Sequence, residues 1–287
     1  MAANHFHNIL IPVDFSDLSA LALRYAAALA QCSGARMALV YAHTFSPPPY
    51  FTGHNLNELE RQFRASFTEA EQALRQFAVS TLGAAAGVEA QVLEGTPADT
   101  ILKYAADRQI DLIAMGTHGR SGVNRWMLGS VAERVLRASE IPVLTVRPAP
   151  SAAGPAAIRR ILCPVNNTAP ARRALTTAMD LASCIGARLT VVHVKEDAAT
   201  DSIQDLCAWV AGNRRGTCEV REVVRQGDAA AEIIAATAEE DCGLAVIGAQ
   251  HRAFFDSTVL GTTTVRVVRH ARCPVLTVTG PGSPKEA

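Results

Sequence analysis

The chain lacks several features that would assign it to a specialised class of protein. Its 287 residues carry 27 basic and 27 acidic side chains, so no net charge attracts nucleic acid or an anionic membrane. It has no uninterrupted apolar run of about 18 residues, and its first residues show no basic segment followed by an apolar one. We therefore expect no membrane span, no signal peptide and no nucleic-acid partner.

Cysteine motifs are also missing, although cysteines are present. No Cys-x-x-Cys pair occurs, and the total is an odd number. The seven are Cys32, Cys163, Cys184, Cys207, Cys218, Cys242 and Cys273. This pattern favours reduced, mostly buried thiols in a cytoplasmic protein over a zinc site.

What the chain does have is an internal repeat. Residues 9–16 read Ile-Leu-Ile-Pro-Val-Asp-Phe-Ser, and residues 161–168 repeat this pattern 152 positions later as Ile-Leu-Cys-Pro-Val-Asn-Asn-Thr. Beyond residue 90 the offset becomes 132, as between Gly116 and Gly248 or between Gly129 and Gly261. The second copy is thus 20 residues shorter (152 − 132), and we expect the loss at the equivalent of about residues 45–95.

A segment rich in Pro, Ala, Ser and Gly separates the two copies and is typical of a linker. We predict a first domain over 1–148, a linker over 149–157 and a second domain over 158–287. Apolar residues make up 49% of the chain, which is enough for two buried cores. Two similar domains on one chain suggest an intramolecular pseudo-dimer, which could also pair into a homodimer.

Each copy alternates short apolar runs with helical patterns. In the first copy we predict strands over 7–13, 36–42, 88–93, 111–115 and 142–146, and helices over 18–32, 56–82, 97–108 and about 129–138. This alternation predicts an α/β fold, with two tandem doubly wound parallel five-stranded sheets. The first and fourth strands should be neighbours, with a ligand beyond their carboxyl ends.

A glycine-rich loop follows the fourth strand at this point. Gly116 and Gly119 allow a tight turn and a close approach to a ligand, and Gly129-Ser130 opens a helix whose first amides favour phosphate. Arg120 and Arg125 could add positive charge. Each feature also has a simpler explanation: a turn glycine at 116, a helix cap at Ser130 and surface positions for the arginines.

The loop differs from other phosphate-binding motifs. It contains no Gly-Lys-Ser/Thr, and its glycine spacing is not that of a dinucleotide-binding loop. Asp14, at the end of the first strand, could accept hydrogen bonds from ribose hydroxyls. It could instead cap the following helix, a task for which Ser16 competes. We favour the ligand role.

Together these residues resemble the nucleotide motif of the universal stress protein family. The pattern Gly-x2-Gly-x9-Gly-Ser runs from Gly116 to Ser130, with Ile-Pro-Val-Asp at 11–14 and Ile-Pro-Val-Leu at 141–144. The resemblance covers nearly the whole chain twice, as in tandem-domain members. It implies ATP binding, with or without magnesium, dimerisation through the last strand and a role in stress survival.

The resemblance also implies how the first copy would hold the nucleotide. Asp14 would contact the ribose, and the backbone at Ala42, just after the second strand, would face the adenine. The phosphates would be held by a larger group of loop and helix residues. These are Gly116, Gly119, Gly129, Ser130 and the amide of Val131.

The second copy departs from this pattern. Asn166 replaces the aspartate, His251 replaces the second glycine, and Gly243 stands where the first copy has Asp111. A side chain in place of the second glycine would crowd the phosphates. We therefore expect one working nucleotide site and a second copy that acts as a partner or scaffold.

Three functions remain open from the sequence. The first is an ATP-binding stress regulator that acts through nucleotide-dependent interaction or assembly with an unidentified protein partner. It would not be an enzyme beyond a slow ATPase, because His118 is the one candidate base in the loop. The second is an interaction module that binds no nucleotide. The third, a nucleotidyl transferase, is disfavoured because Asp-Phe-Ser-Asp follows the first strand.

Overall fold

We describe the fold from a computed structural model of the chain. The structure describes residues 6–44, 56–83, 87–119, 128–148, 158–195, 205–213, 217–249, 251–254 and 257–279. The predicted linker over 149–157 lies outside these residues.

The first copy contains five strands and four helices among its described residues. In chain order they are β1 (Asn8–Pro12), α1 (Asp17–Ser33), β2 (Arg36–His43), α2 (Leu56–Leu82), β3 (Glu89–Glu94), α3 (Pro97–Asp107), β4 (Leu112–Gly116), α4 (Ser130–Ala138) and β5 (Val143–Val146). The predicted elements all occur, and no end differs from its prediction by more than one residue.

The second copy repeats this order and adds a hairpin. Its elements are β6 (Arg160–Val165), α5 (Ala169–Ile185), β7 (Arg188–Lys195), α6 (Leu206–Asn213), β8 (Val220–Gln226), α7 (Ala229–Glu239), β9 (Leu244–Gly248), β10 (His251–Phe254), β11 (Ser257–Leu260), α8 (Thr262–His270) and β12 (Val275–Val278). The 8 residues of α6 correspond to the 27 of α2, which agrees with the predicted position of the shortening.

The two copies share one sheet. Its ten strands run in the order β3-β2-β1-β4-β5-β12-β9-β6-β7-β8, and every neighbouring pair is parallel except β5 and β12. The predicted five-stranded sheets are therefore two halves of a continuous sheet. As predicted, β1 lies beside β4, and this pairing recurs between β6 and β9.

The β5–β12 junction has approximate two-fold symmetry. Leu144 lies opposite Leu276, its equivalent in the repeat. On either side, Thr145 Oγ1 donates to the Val275 carbonyl (3.1 Å) and Thr277 Oγ1 donates to the Val143 carbonyl (3.0 Å). These reciprocal bonds satisfy buried hydroxyls and build the intramolecular pseudo-dimer through the last strand of each copy.

Helices cover both faces of the sheet. One core contains residues of α1, α2, α5 and α6, and the other contains residues of α3, α4, α7 and α8. Successive β1 residues alternate between them, because Ile9 and Ile11 face the first core and Leu10 the second. Strands buried on both faces explain the continuous apolar runs in the sequence.

The expectation of seven reduced thiols is wrong for two of them. Cys32 and Cys184 form a disulfide, with their Cα atoms 5.7 Å apart. The sequence could not indicate this pair, because it does not show which faces of the two copies meet. Cys163, Cys218, Cys242 and Cys273 are buried and lie outside this disulfide, as expected, and Cys207 is exposed.

Candidate functional site

The first site residue, Asp14, lies where the chain leaves β1. Its Oδ1 accepts hydrogen bonds from the Ser16 amide (3.1 Å) and from the Ser16 hydroxyl (2.6 Å). Ser16 Oγ in turn accepts from the Ser19 amide (3.2 Å) and caps α1. The capping role thus falls to Ser16, while Asp14 is held in a fixed position above the strand end.

The glycine loop meets Asp14 at Gly119. A Cβ atom added to Gly119 would overlap Asp14 Oδ2, so the two residues are in direct contact. Only glycine fits so close to the carboxylate without displacing it. The structure thereby brings together two residues that are 105 positions apart (119 − 14) and that the sequence assigned to the same site.

Backbone hydrogen bonds fix both ends of the loop. The Thr117 amide donates to the Val146 carbonyl (2.9 Å), and the Gly129 amide donates to the Thr117 carbonyl (2.7 Å). A Cβ at Gly129 would lie 3.2 Å from the Cα of His118, which is the neighbour of Gly119. The beginning of α4 is therefore held close in space to the residues that contact Asp14.

Helix α4 begins without a side-chain cap. Its N-cap is Gly129, which has extended backbone angles and no side chain to bond the amides of the first turn. Ser130 is exposed at the first helical position, and Val131, the next residue, is half-buried. Uncapped amides and the positive end of the helix dipole give this point the properties of an anion site. Arg120 and Arg125 lie outside the described residues.

Gly116 has a packing role in both copies. A Cβ there would lie 2.8 Å from Leu18 Cβ, in the first turn of α1. At Gly248, its equivalent, a Cβ would lie 2.6 Å from the Pro170 backbone in the first turn of α5. Close packing of helix on strand explains both glycines, whether or not a phosphate lies nearby.

Ala42 lies inside β2, one residue before its end, rather than after the strand as predicted. The Val40 carbonyl accepts from Val13 on the β1 side (2.8 Å), and the His43 carbonyl accepts from Gly95 on the β3 side (3.1 Å). Backbone groups alternate between the two neighbouring strands, so Ala42 directs its N–H and C=O towards the β1 side. Because β1 has already ended there, these groups face the strand-end crevice.

An aromatic cluster borders the same strand ends and is not among the predicted site residues. Phe15, next to Asp14, has a positive φ of 62° and packs against Tyr41 (4.9 Å between ring centroids) and Phe77 (5.8 Å). The His43 ring continues the cluster, 6.1 Å from Tyr41. Tyr41 and His43 alternate on β2 and so share a face, a signal that was available in the sequence.

The second copy keeps the turn after the first strand and loses the loop. Asn166 Oδ1 accepts from the Thr168 hydroxyl (2.6 Å), and Thr168 caps α5, as Ser16 caps α1. The equivalent of the glycine loop, however, is the antiparallel hairpin β10–β11, in which His251 pairs with Leu260. Strand β11 lies against α4 of the first copy. An extended hairpin does not surround a phosphate as a glycine loop can.

The difference between Asp111 and Gly243 lies at the amino ends of the strands, away from Asp14. Asp111 precedes β4, at the amino end of the strand, and its carboxylate accepts from the amides of His7 (2.7 Å) and Asn8 (3.0 Å). It therefore fastens the start of β1 at the edge of the sheet opposite the site. Gly243 therefore stands for a residue outside the strand-end crevice, whereas Asn166 and His251 lie at the carboxyl ends of β6 and β9.

Comparison with known proteins identifies this arrangement. The sequence profile of the universal stress protein family matches residues 5–147, 157–207 and 204–279. The chain belongs to the universal stress protein family. Because these matches fall in both copies, it is a tandem-domain member.

Two relatives in sequence each match half of the chain, and one solved structure matches nearly all of it. The chain is 33% identical over 148 residues to a universal stress protein of Methanocaldococcus jannaschii, covering 50% of this chain and 84% of that protein. It is 35% identical over 142 residues to one from Thermus aquaticus, covering 50% and 99%. The crystal structure of a universal stress protein from Archaeoglobus fulgidus has the same overall fold, with a TM-score of 0.70 and 23% identity over 95% of this chain and 98% of that one.

Two further observations concern the described residues alone. No group of three or more His, Cys, Asp or Glu side chains among them is arranged to hold a metal ion. None of the helices in this part of the chain is long and apolar enough to cross a membrane.

Proposed function

We propose that the first copy binds one molecule of ATP at the carboxyl ends of β1 and β4, and that bound nucleotide controls the interaction or assembly of the protein. The observation that carries this proposal is a continuous set of contacts. Asp14 touches Gly119, and Gly129, at the start of α4, lies against the adjacent His118. A carboxylate suited to a ribose and a helix end suited to phosphate are thus linked through the neighbouring residues His118 and Gly119.

The phosphates would lie at the amino end of α4. The amides of Ser130 and Val131 and the Ser130 hydroxyl would donate to phosphate oxygens, because Gly129 leaves this helix end uncapped. Gly119 would let the chain approach the ligand closely. Arg120 would add charge from the loop. Magnesium, if present, would be coordinated mainly by the phosphates, since no cluster of acidic ligands is found among the described residues.

The nucleoside would lie across the ends of β1 and β2. Asp14 would accept from the ribose hydroxyls, and the backbone of Ala42 would bond the adenine edge. The direction of the Ala42 backbone groups towards the crevice supports this orientation. Tyr41 and His43 lie on the same strand end and give the crevice an aromatic border.

The second copy would act as a scaffold and partner for the first. It supplies half of the continuous sheet, and its hairpin lies against α4. Asn166 lacks the charge of Asp14, and the hairpin replaces the loop that would enclose phosphates. We therefore propose a stoichiometry of one nucleotide per chain. We also propose that the two domains have the bounds predicted from the sequence.

We also propose that the protein is a cytoplasmic regulator and not an enzyme. His118 is the one imidazole in the described part of the loop, and its Nδ1 lies 3.1 Å from the Thr117 hydroxyl. We assign this imidazole a structural role rather than that of a general base that activates water. Hydrolysis of ATP would be slow and incidental.

Calorimetric titration of the full chain with ATP tests the proposal, using matched glycine variants. A Cβ at Gly129 meets His118 and the Thr117 carbonyl at 3.2–3.3 Å, whereas a Cβ at Gly261, its equivalent, meets open space. Gly129→Ala should weaken ATP binding because it disturbs the helix end. Gly261→Ala should leave binding unchanged and serves as the control.

The alternative function is an interaction module that binds no nucleotide. Wild-type protein that releases no heat with ATP, and carries none after purification by mass spectrometry, would establish that alternative. Equal losses of affinity in Gly129→Ala and Gly261→Ala would also contradict the proposed site.

A further inference from the structure

The Cys32–Cys184 pair lies at the joint between the two copies. Cys32 is in the last turn of α1 and Cys184 in the last turn of α5. They are 152 residues apart, which is the offset of the repeat, so they occupy equivalent positions. Their Cα separation of 5.7 Å lies within the range of about 4.4–6.8 Å that a disulfide can bridge.

The pairing follows from the symmetry of the fold. Strands β5 and β12 meet about a pseudo-two-fold axis, and α1 packs against α5 on the face of the sheet that they share. Residues close to such an axis meet their own equivalents. Because both copies have a cysteine at this position, Cys32 and Cys184 meet each other, although neither copy has a cysteine motif.

Both cysteines are only partly buried. Each lies two residues before the exposed left-handed glycine that ends its helix, Gly34 or Gly186. Three other thiols are different, because burial raises the pKa of Cys163, of Cys242 and, to about 12, of Cys273. Thiols held protonated in the core do not take part in exchange.

We propose that Cys32 and Cys184 are a reversible, redox-controlled cross-link that ties the first helix of one copy to the first helix of the other. Oxidation fixes α1 to α5 at their carboxyl ends. Reduction leaves the copies joined through the β5–β12 pairing and the packing of the two helices. The cross-link is independent of the proposed nucleotide site, since Asp14 lies beyond the opposite end of α1.

Oxidised glutathione is a sufficient co-reactant. The thiolate of one cysteine attacks its disulfide, forming a mixed disulfide and releasing one glutathione. The second cysteine then attacks the protein sulfur of the mixed disulfide and releases another glutathione. Two protein thiols are oxidised, one glutathione disulfide is reduced, and the two protons go to the released glutathione. Dithiothreitol reverses the change by the same exchange.

Tryptic peptide mapping can detect this bond directly. Peptides 25–36 and 174–188 each end in arginine and each contain one of the two cysteines as their single cysteine. The full-length protein is equilibrated with glutathione buffers of increasing oxidised fraction, free thiols are alkylated, and the peptides are measured by mass spectrometry. We expect a linked pair of peptides that increases with the oxidised fraction and disappears with dithiothreitol.

Matched variants separate this bond from other oxidation. Cys32→Ala keeps a good helix former in α1 and should abolish the linked pair, leaving Cys184 either alkylated or as a mixed disulfide with glutathione. Cys207→Ser, which removes the exposed free thiol of α6, should leave the pair unchanged. Mixing unlabelled protein with heavy-isotope-labelled protein should give linked peptides that are both light or both heavy.

Three results would overturn the proposal. The first is full alkylation of Cys32 and Cys184 in strongly oxidising buffer. The second is a linked pair that contains one light and one heavy peptide, which would place the bond between two chains. The third is a linked pair that dithiothreitol does not remove from the native protein.

Discussion

Replacing Asp14 by Asn gives the first copy the residue that the second copy already has as Asn166. The structure shows that asparagine preserves the local turn, because Asn166 Oδ1 accepts from Thr168 as Asp14 Oδ1 accepts from Ser16, each at 2.6 Å. We therefore expect Asp14→Asn to fold normally with α1 still capped. The variant removes the charge next to Gly119 without leaving a cavity.

The size of the effect follows from the loss of that charge. Hydrogen bonds to an ionised acceptor contribute about 1.5–3 kcal/mol, and neutral ones about 0.5–1.5 kcal/mol. The change should therefore cost about 1–1.5 kcal/mol of binding free energy, or about five- to tenfold in Kd for ATP. Asp14→Ala should cost more, because it also removes the bonds to Ser16.

Calorimetric titration with ATP measures this difference, and Asn166→Ala is the matched control. It removes the equivalent side chain from the second copy and should leave the Kd for ATP unchanged. An unaltered Kd in Asp14→Asn would refute the assignment of the carboxylate to the ribose. A loss in Asn166→Ala as large as that in Asp14→Ala would show that the second copy also binds nucleotide.

Three further predictions concern neighbouring parts of the fold. Ser16→Ala should lower the free energy of unfolding in denaturant by about 1 kcal/mol and also weaken ATP binding. Thr168→Ala should lower the free energy of unfolding alone. Equal effects of the two variants on ATP binding would contradict this distinction. Gly119→Ala should displace the Asp14 carboxylate and weaken ATP binding in calorimetry, and an unchanged affinity would contradict the contact. The free energy of unfolding of the oxidised protein should exceed that of the reduced protein by about 2–4 kcal/mol. Cys32→Ala should abolish this difference, and a variant that keeps it would contradict the prediction.

Periodicity and repeat spacing in the sequence were enough to predict most of the fold. The helix over 56–82, the adjacency of the first and fourth strands and the shortened second copy all follow from local patterns and from the offsets of 152 and 132. These features depend on residues close in sequence or on general rules for crossover connections. The same rules bring Asp14 to the glycine loop.

The features that the sequence left undetermined depend on contacts between the copies. The antiparallel pairing of Leu144 with Leu276 leaves no local signal, because a short buried strand has the same composition in either direction. The Cys32–Cys184 bond follows from that pairing. The β10–β11 hairpin does not follow from the repeat, because the equivalent residues of the first copy have the sequence of a glycine loop.

The stoichiometry of ATP binding tests the central claim most directly. Native mass spectrometry of the full chain with saturating ATP should give one bound nucleotide per chain. Asp14→Ala should reduce the occupancy of that single site at limiting ATP. Two bound nucleotides per chain would contradict the claim of a single working site, and none at saturation would contradict the nucleotide-binding function itself.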